Sequence, residues 1–474
     1  MSFERQRVIG VIASESSETE ARVILNYKEE LNIKTEDLVV VENLIGGKVL
    51  AVLRGGRGLN ENLKTGGYHP ALSYARIGGN PSKAKESYDF RLLVIGEITE
   101  EGLVQNKKIL SPGSPVRLFS EKDDPMVYLS KNKGFTLGYY EGRPNWKVPV
   151  NIDFIPYHIG VFATTGGGKS YLARYEIIPL LKKAGYGVLI LDWKGRDYAP
   201  YFKDVISIAD IALDTESVKD YLIRLFGNFG YSTDTNLPRQ ALEAYLEKEE
   251  WRGLGEKDLK DSLKEGIIEE IKLLKDRRSE EAINRVELAF KKIQSRELSF
   301  ILGIKTPENV LEEVREKGIV VINMKKASKH IKLLCFLALG KYLMDMMYND
   351  EDPNLALVID EGPQYCGFNP IGIEKETTDI IIDMCALGRS HKLCICLLSQ
   401  GIAGEIGINA AVRRNLNTQL IGKIHPLDMN EASNWLSPYN IDPKFLLSLP
   451  PGHFYFMGSM NPSPMPLLIT FAIG

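Results

Sequence analysis

The stretch Ile159-Gly160-Val161-Phe162-Ala163-Thr164-Thr165-Gly166-Gly167-Gly168-Lys169-Ser170, followed by Tyr171 to Lys183, determines the architecture. An apolar strand runs into a glycine-rich turn, and the turn opens a helix. In that context the glycines let backbone N–H groups face an anion, and the helix N-terminus adds positive potential. The reading is a P-loop in which Thr165, Gly166, Gly167, Gly168, Lys169, Ser170 and Tyr171 surround the phosphates of ATP. Lys169 would reach the β and γ oxygens and the Ser170 hydroxyl would ligate Mg²⁺. Ala163 stands where the pattern begins with glycine, and so small a side chain still permits the turn.

A phosphate cradle needs an acidic partner at the end of another apolar strand. Leu355-Ala356-Leu357-Val358-Ile359-Asp360-Glu361 supplies it. Asp360 would hold hydrated Mg²⁺ and Glu361 would polarise the attacking water. The strand Leu393 to Ser399 ends in Gln400, an amide suited to sensing a γ-phosphate. Arg389 closes a helical run just before it, where it either caps the helix or stabilises transition-state charge in a neighbouring subunit's site.

Outward from this motif the grammar alternates strand and helix from Val148 onward, which predicts a parallel α/β sheet. Residues 214–318 lose the strand signal and take up helical spacing at Val218, Tyr221, Leu222 and Leu225 and again at Ile283, Val286, Phe290 and Ile293. The first third holds short β-branched runs at Val8–Ile12, Val23–Leu25, Leu38–Val41, Val49–Leu53 and Leu92–Ile98, with a hairpin signal at Gly46-Gly47. Their spacing predicts a small barrel or sandwich, interrupted by a long loop over residues 55–90. The expected organisation is thus a β-barrel with a long loop over 1–145, an α/β core over 146–213 and 319–474, and a helical insertion over 214–318.

Composition limits the function classes. The 474 residues carry 59 basic and 62 acidic side chains, a net charge of −3 that gives no global attraction for a polyanion. Any nucleic acid would have to be met by local loops. No apolar run reaches the length of a membrane span, and the N-terminus lacks a leader pattern, so the expected location is cytoplasmic. The five cysteines, Cys335, Cys366, Cys385, Cys394 and Cys396, are odd in number and form no C-x-x-C pair, which predicts buried thiols and no zinc site.

Taken in order, these motifs resemble the HerA-type hexameric DNA translocases of the FtsK/HerA group of RecA-like ATPases. The resemblance spans Arg7-Val8-Ile9-Gly10-Val11-Ile12 and Leu50 to Gly55 for the barrel, Ala163 to Ser170 for the P-loop, and Val188 to Asp192 for the next strand. It continues through Asn415-Leu416-Asn417-Thr418-Gln419-Leu420 and Leu446-Leu447-Ser448-Leu449-Pro450-Pro451-Gly452. It implies a homohexameric ring that hydrolyses ATP between subunits while moving double-stranded DNA, with a NurA-type nuclease as partner. Lys169 and Ser170 would then serve ATP and Mg²⁺, Glu361 catalysis, Arg389 the trans-acting finger and Gln400 sensing. Loop cations Lys194, Arg196, Arg413 and Arg414 are the candidate DNA-phosphate contacts. The chain departs from the family's pattern at Tyr157, at Arg196 in Gly195-Arg196-Asp197-Tyr198, at Ala386 and at Gly401 in Ser399-Gln400-Gly401-Ile402. A soluble packaging or coupling ATPase, and a nucleotide-dependent scaffold, remain alternative readings of the same residues.

Overall fold

The computed structural model describes residues 7–60, 63, 70–78, 86–130, 134–228 and 236–472. Two compact units emerge, one of residues 1–155, 161–180 and 417–474, the other of residues 156–160 and 181–416.

The first unit begins with β1 (Val8–Ile12), β2 (Glu20–Leu25), β3 (Leu38–Glu42), β4 (Lys48–Asn60), β5 (Glu86–Thr99), β6 (Gly102–Val104) and β7 (Pro115–Leu118). They hydrogen-bond in the order β2-β1-β7-β3-β4-β5-β6, and β2 also pairs with β5. That extra pairing closes a six-stranded barrel, with β6 attached outside. Alternate residues fill it: Val39 and Val41, Val49, Ala51 and Leu53, and Leu92 and Val94 share one core. The Gly46-Gly47 signal is the β3–β4 hairpin, where both glycines take positive φ.

Part of the expected loop over 55–90 is instead strand. Arg57 to Asn60 pair with Asp89 to Glu86, so the β4–β5 ribbon runs on beyond the barrel. A register shift between Arg54 and Arg57, with Gly55 at φ 57°, lets the ribbon bend. Arg22 and Arg57 both reach Asp89, Tyr88 and Phe90 pack half-buried against the barrel core, and Leu59 is exposed. Glycines at 55, 56 and 58 with Arg57 between them interrupt the hydrophobic alternation of β4, and this hides the extension in the sequence. Helix α1 (Pro70–Arg76) also falls in this stretch, and residues 61–62, 64–69 and 79–85 lie outside those described.

Beyond the barrel come β8 (Thr136–Tyr140), β9 (Lys147–Pro149) and β10 (Ile159–Phe162). The helical stretch after the P-loop holds α2 (Lys169–Leu172), a π-helical turn over Ala173–Ile177, and α3 (Ile178–Lys183).

The second unit is built on β11 (Gly187–Asp192), β12 (Val205–Ser207), β13 (Ile319–Asn323), β14 (Leu355–Ile359) and β15 (Leu393–Ser399). All pair in parallel in the order β12-β13-β11-β14-β15. Every residue of β14 and β15 is buried, the pattern of strands covered on both faces. Between β12 and β13 lie α4 (Thr215–Asn228), α5 (Asn236–Glu247), α6 (Glu256–Leu273), α7 (Ser279–Lys292), α8 (Ser295–Leu298) and α9 (Pro307–Lys317). Thr306 caps α9 by accepting the Asn309 N–H, with Pro307 at the first helical position. The crossovers α10 (Lys329–Tyr348) and α11 (Ile373–Gly388) link β13 to β14 and β14 to β15. All five cysteines belong to this unit and are buried and unbridged.

After α12 (Ala410–Asn415) the chain returns to the first unit with β16 (Thr418–Ile421), α13 (Met429–Leu436), α14 (Pro443–Leu447), β17 (His453–Met457) and β18 (Leu467–Thr470). The ladder β16-β17-β18-β8-β9 is antiparallel throughout. A buried charge ties this ladder and the segments around it to the barrel. Arg54, 1% exposed, forks onto Glu36 through Nε–Oε1 at 2.8 Å and Nη2–Oε2 at 2.9 Å. It also donates to the carbonyls of Tyr439 at 3.0 Å and Pro466 at 2.6 Å. Tyr455 donates to the Glu36 carboxylate at 3.0 Å, and Tyr140 to the Glu36 carbonyl at 2.5 Å. Removing one partner strands the other charge in the interior. Arg54→Met is therefore expected to destabilise the protein by about 3 kcal/mol, with Glu36→Leu added to Arg54→Met restoring much of the loss. An unchanged urea midpoint for Arg54→Met would count against this role.

Candidate active site

In the first unit, β10 delivers the chain into the loop beside the 418–423 stretch, where Gly422 N donates to Phe162 O at 2.8 Å and Thr164 N to Lys423 O at 2.7 Å. Gly166 and Gly168 sit at φ 78° and 98°, conformations that L side chains avoid. A Cβ on Gly168 would lie 2.9 Å from the backbone nitrogen of Gly452, and Gly452 N donates to Gly167 O at 3.1 Å. The Pro450-Pro451-Gly452 turn thus braces the loop from behind. Ala163 is buried, and a Cβ on Gly167 or Gly422 would come within 3.0 Å of its methyl group. The substitution of Ala for the leading glycine fits because both of its neighbours are glycines. Lys169 Nζ donates to the carbonyls of Ala163 at 2.5 Å and Thr164 at 3.2 Å, arching back over the loop it would share with a phosphate. Thr165 and Gly166 are exposed, whereas Ser170 and Tyr171 are half-buried at the start of the helix.

In the second unit, the parallel strand ends set the acidic cluster. Leu191 pairs with Ile359, so Asp192 at the end of β11 and Asp360 just after β14 are lateral neighbours. Carboxylate oxygens of Asp192, Asp197 and Asp360 lie within 4.8 Å of one another. Asp192 is committed to its own loop, accepting the N–H groups of Gly195, Tyr198 and Ala199, each at 2.9 Å. Asp360 is 3% exposed, and its Oδ2 is buried without a hydrogen-bond partner among the described residues. Burial, with Glu361, Asp197 and Asp192 close by, pushes its carboxyl up to about 7. A divalent cation would satisfy the orphan oxygen and relieve the crowded negative charge, so these residues fit the Mg²⁺ that a P-loop implies.

Glu361 adopts φ 55°, and the chain then packs so tightly onto β15 that a Cβ on Gly362 would meet the Leu397 side chain at 2.3 Å. This turn presents the Glu361 carboxylate to two donors. Lys194 forms an ion pair with Oε1, and Gln400 Nε2 reaches Oε1 at 2.9 Å and Oε2 at 2.8 Å. Glu361, Gln400 and Lys194 are therefore one cluster. Lys194 sits on the acidic strand end, a place its sequence context as a loop cation did not suggest. The neighbouring Lys332 donates to Trp193 O at 2.7 Å with its ammonium 4.3 Å from the Trp193 ring.

Arg389 lies apart from this cluster, exposed at the C-cap of α11. Its guanidinium stacks on Tyr157 at 5.4 Å and donates to Asn415 Oδ1 at 3.4 Å. Tyr157 thus provides a face for the arginine at a position where the family usually carries a basic residue. The next residue, His158, is fully buried: its Nε2 bonds the Cys385 carbonyl at 2.8 Å and its Nδ1 accepts the Ile395 N–H at 3.1 Å. Burial holds its imidazole down to about 4, so it is a neutral strut between α11 and β15. Arg196 and Arg414 are exposed, whereas Arg413 turns inward and donates to the carbonyls of Ile402 and Ile408. Asp192, Asp197 and Lys194 are the cluster members that the sequence reading left out of the acidic site. Their signal was their place at the end of β11 or just after it, legible only once β11 is known to adjoin β14.

Residues 135–341 match the family model described as the central domain of the helicase HerA. No curated protein matches the sequence. Among solved structures, VirB4 of Thermoanaerobacter pseudethanolicus is 15% identical over 73% of this chain and 98% of its own, with a TM-score of 0.49. The bacterial conjugative coupling protein TrwBΔN70 is 15% identical over 76% of this chain and 93% of its own, at 0.47. The genome packaging NTPase B204 of Sulfolobus turreted icosahedral virus 2 is 11% identical over 67% and 98%, at 0.33. Among the described residues no helix is long and apolar enough to cross a membrane. With its P-loop after β10, its Asp360-Glu361 pair after β14 and a match to the HerA central domain over residues 135–341, the protein is a P-loop ATPase whose central part is similar to that of HerA.

Proposed function

We propose that this ATPase is a motor on double-stranded DNA, working as a homohexameric ring in DNA end processing or repair beside a nuclease of the NurA type. The observation that carries this reading is the match of residues 135–341 to a helicase central domain, in a chain whose first unit begins with a closed barrel. The nucleotide is ATP, its phosphates held by the amides of Thr165 to Ser170 and by Lys169, with Tyr171 at the rim. Ser170 and Asp360 would hold Mg²⁺, which when bound supplies charge neutralisation on the transferred phosphoryl group. Glu361 orients and polarises the attacking water. Gln400 shares the Glu361 carboxylate, so a γ-phosphate that draws the amide away frees an oxygen for that water. Arg389 has no carboxylate partner among the described residues, which leaves its charge free to serve a neighbouring subunit. Arg196 and Arg414, both exposed, are retained as DNA-phosphate contacts, with Arg413 and Lys194 acting beside them through the loops they anchor.

The test is steady-state ATP hydrolysis with and without linear duplex DNA, beside Glu361→Gln. Strong stimulation by DNA is expected, with turnover falling about 10²-fold or more in the variant while nucleotide binding persists. Turnover indifferent to DNA would overturn the motor reading in favour of a nucleotide-dependent scaffold.

A further inference from the structure

A groove in the second unit carries positive charge that neither the P-loop nor the acidic strand end uses. It opens at the C-terminal ends of β12 and β13, where Ser207 and Asn323 pair side by side. In open α/β sheets this is the edge at which ligands bind. The loop leaving β13 reads Asn323-Met324-Lys325-Lys326-Ala327-Ser328 and runs straight into α10, whose first turn is capped by Ser328. The opposite wall is α8 and the turn after it, which bring Arg296, Ser299 and Phe300. Together they enclose a cavity of about 890 Å³. A second cavity of about 580 Å³ adjoins the first, with Tyr221, Glu297 and Ser328 lining both.

The charge lining the two cavities is lopsided. Lys325, Lys326 and Arg296 are all exposed, and none forms an ion pair among the described residues. In the second cavity, Arg224 donates to Nδ1 of His330 at 2.8 Å and forms no ion pair among the described residues, with the carboxylate of Asp220 near enough to act on the same imidazole. Of the facing acids, Glu374 is taken by Lys329 at 2.6 Å. Glu297 accepts the Gln294 N–H at 2.9 Å as part of the α8 cap. Four cations without an ion pair among the described residues therefore line the two adjoining cavities in a protein whose net charge is −3. Cations spread over two adjoining cavities suit a chain of phosphates better than a single compact anion. Phe300 and Tyr221 add aromatic surface, and Ser299, Ser328 and Asn323 add hydrogen-bonding groups of the kind that meet sugar and phosphate oxygens.

We propose that this groove, through Lys325, Lys326 and Arg296 with Arg224 at its far end, binds the phosphate backbone of nucleic acid. The inference rests on the DNA-motor reading and gives it a contact surface separate from the loop cations Arg196 and Arg414. The experiment is fluorescence anisotropy of a labelled 30-base-pair duplex with the full chain, titrated between 50 and 200 mM salt. The comparison is wild type against Lys325→Glu/Lys326→Glu/Arg296→Glu, with binding of a fluorescent ATP analogue measured in parallel.

Each lost phosphate contact removes about 0.9 from the slope of log affinity against log salt. The triple variant is expected to bind duplex at least about tenfold more weakly at 100 mM salt, with the slope shallower by roughly two to three, while its affinity for the ATP analogue is unchanged. Equal affinity and equal slope for variant and wild type would overturn the groove and leave the motor reading standing. Wild-type protein that shows no salt-dependent duplex binding would overturn both. Should charge reversal disturb folding, the same three positions changed to Gln must still flatten the slope, and an unaltered slope there overturns the groove equally.

Discussion

Arg389→Ala will fold and assemble, bind ATP with unchanged affinity, and hydrolyse it about 10³-fold or more slowly than the wild type. The expectation follows from where the structure leaves this side chain. Arg389 is exposed at the end of α11, rests against the Tyr157 ring, and makes only a long hydrogen bond to Asn415. Its removal breaks no buried pair, so stability should hardly change. The guanidinium's value lies in the charge it offers to a developing transition state, and an ammonium cannot reproduce the planar fork. Arg389→Lys should therefore recover little. The trans assignment makes a sharper demand. In rings assembled from equal amounts of Arg389→Ala and Lys169→Ala subunits, about a quarter of the interfaces join an intact P-loop to an intact finger. Turnover should rise well above that of either variant alone. Well-mixed rings with no such recovery would show that Arg389 acts within its own chain or not at all.

The residues to which the proposal assigns the chemistry were legible because they are contiguous. Ala163 to Ser170 and Leu355 to Glu361 each place strand, turn and functional group in one short run, and local physics alone interprets them. The barrel strands were legible for a related reason, since β3 and β4 alternate inward and outward over a hydrophobic core. What escaped was decided by neighbours distant in sequence. Asp197 and Lys194 join the acidic cluster because β11 and β14 lie side by side, a fact of strand order rather than of either strand. In the β4–β5 ribbon the alternation of Tyr88 and Phe90 on β5 has no counterpart on β4, where Gly55, Gly56, Arg57 and Gly58 follow one another. Strands β8 and β9 are short, and β8 is defined by its pairing with β18, more than 300 residues later. The π-helical turn at Ala173–Ile177 left no mark in the apolar spacing of the P-loop helix.

Asp360→Asn should stabilise the nucleotide-free protein while destroying its response to Mg²⁺ and ATP. The buried carboxyl, crowded by Glu361, Asp197 and Asp192, is raised from 3.8 to about 7. In the unfolded chain it loses its proton near pH 4, whereas the folded protein retains it until near pH 7. The folded state thus binds more protons across that window, and stability falls as pH rises through it. Above pH 7 the full cost of the buried charge is present, about 4 kcal/mol for a carboxyl displaced that far from its ordinary value. Asparagine keeps the shape and removes the charge. The melting temperature of the variant should match that of wild type near pH 4, exceed it increasingly between pH 4 and 7, and hold a constant lead at pH 8. The opposite sign is expected once ligand is added: Mg²⁺ with ATP should raise the melting temperature of wild type and leave the variant's unmoved, because the variant lacks the anionic oxygen that the orphaned Oδ2 would contribute. A lead at pH 8 no larger than at pH 5 would mean that Asp360 is already compensated in the folded protein. A site that gained stability on deletion of its charge would be one whose charge is retained for function, and that outcome would support the end of β14 as the active site.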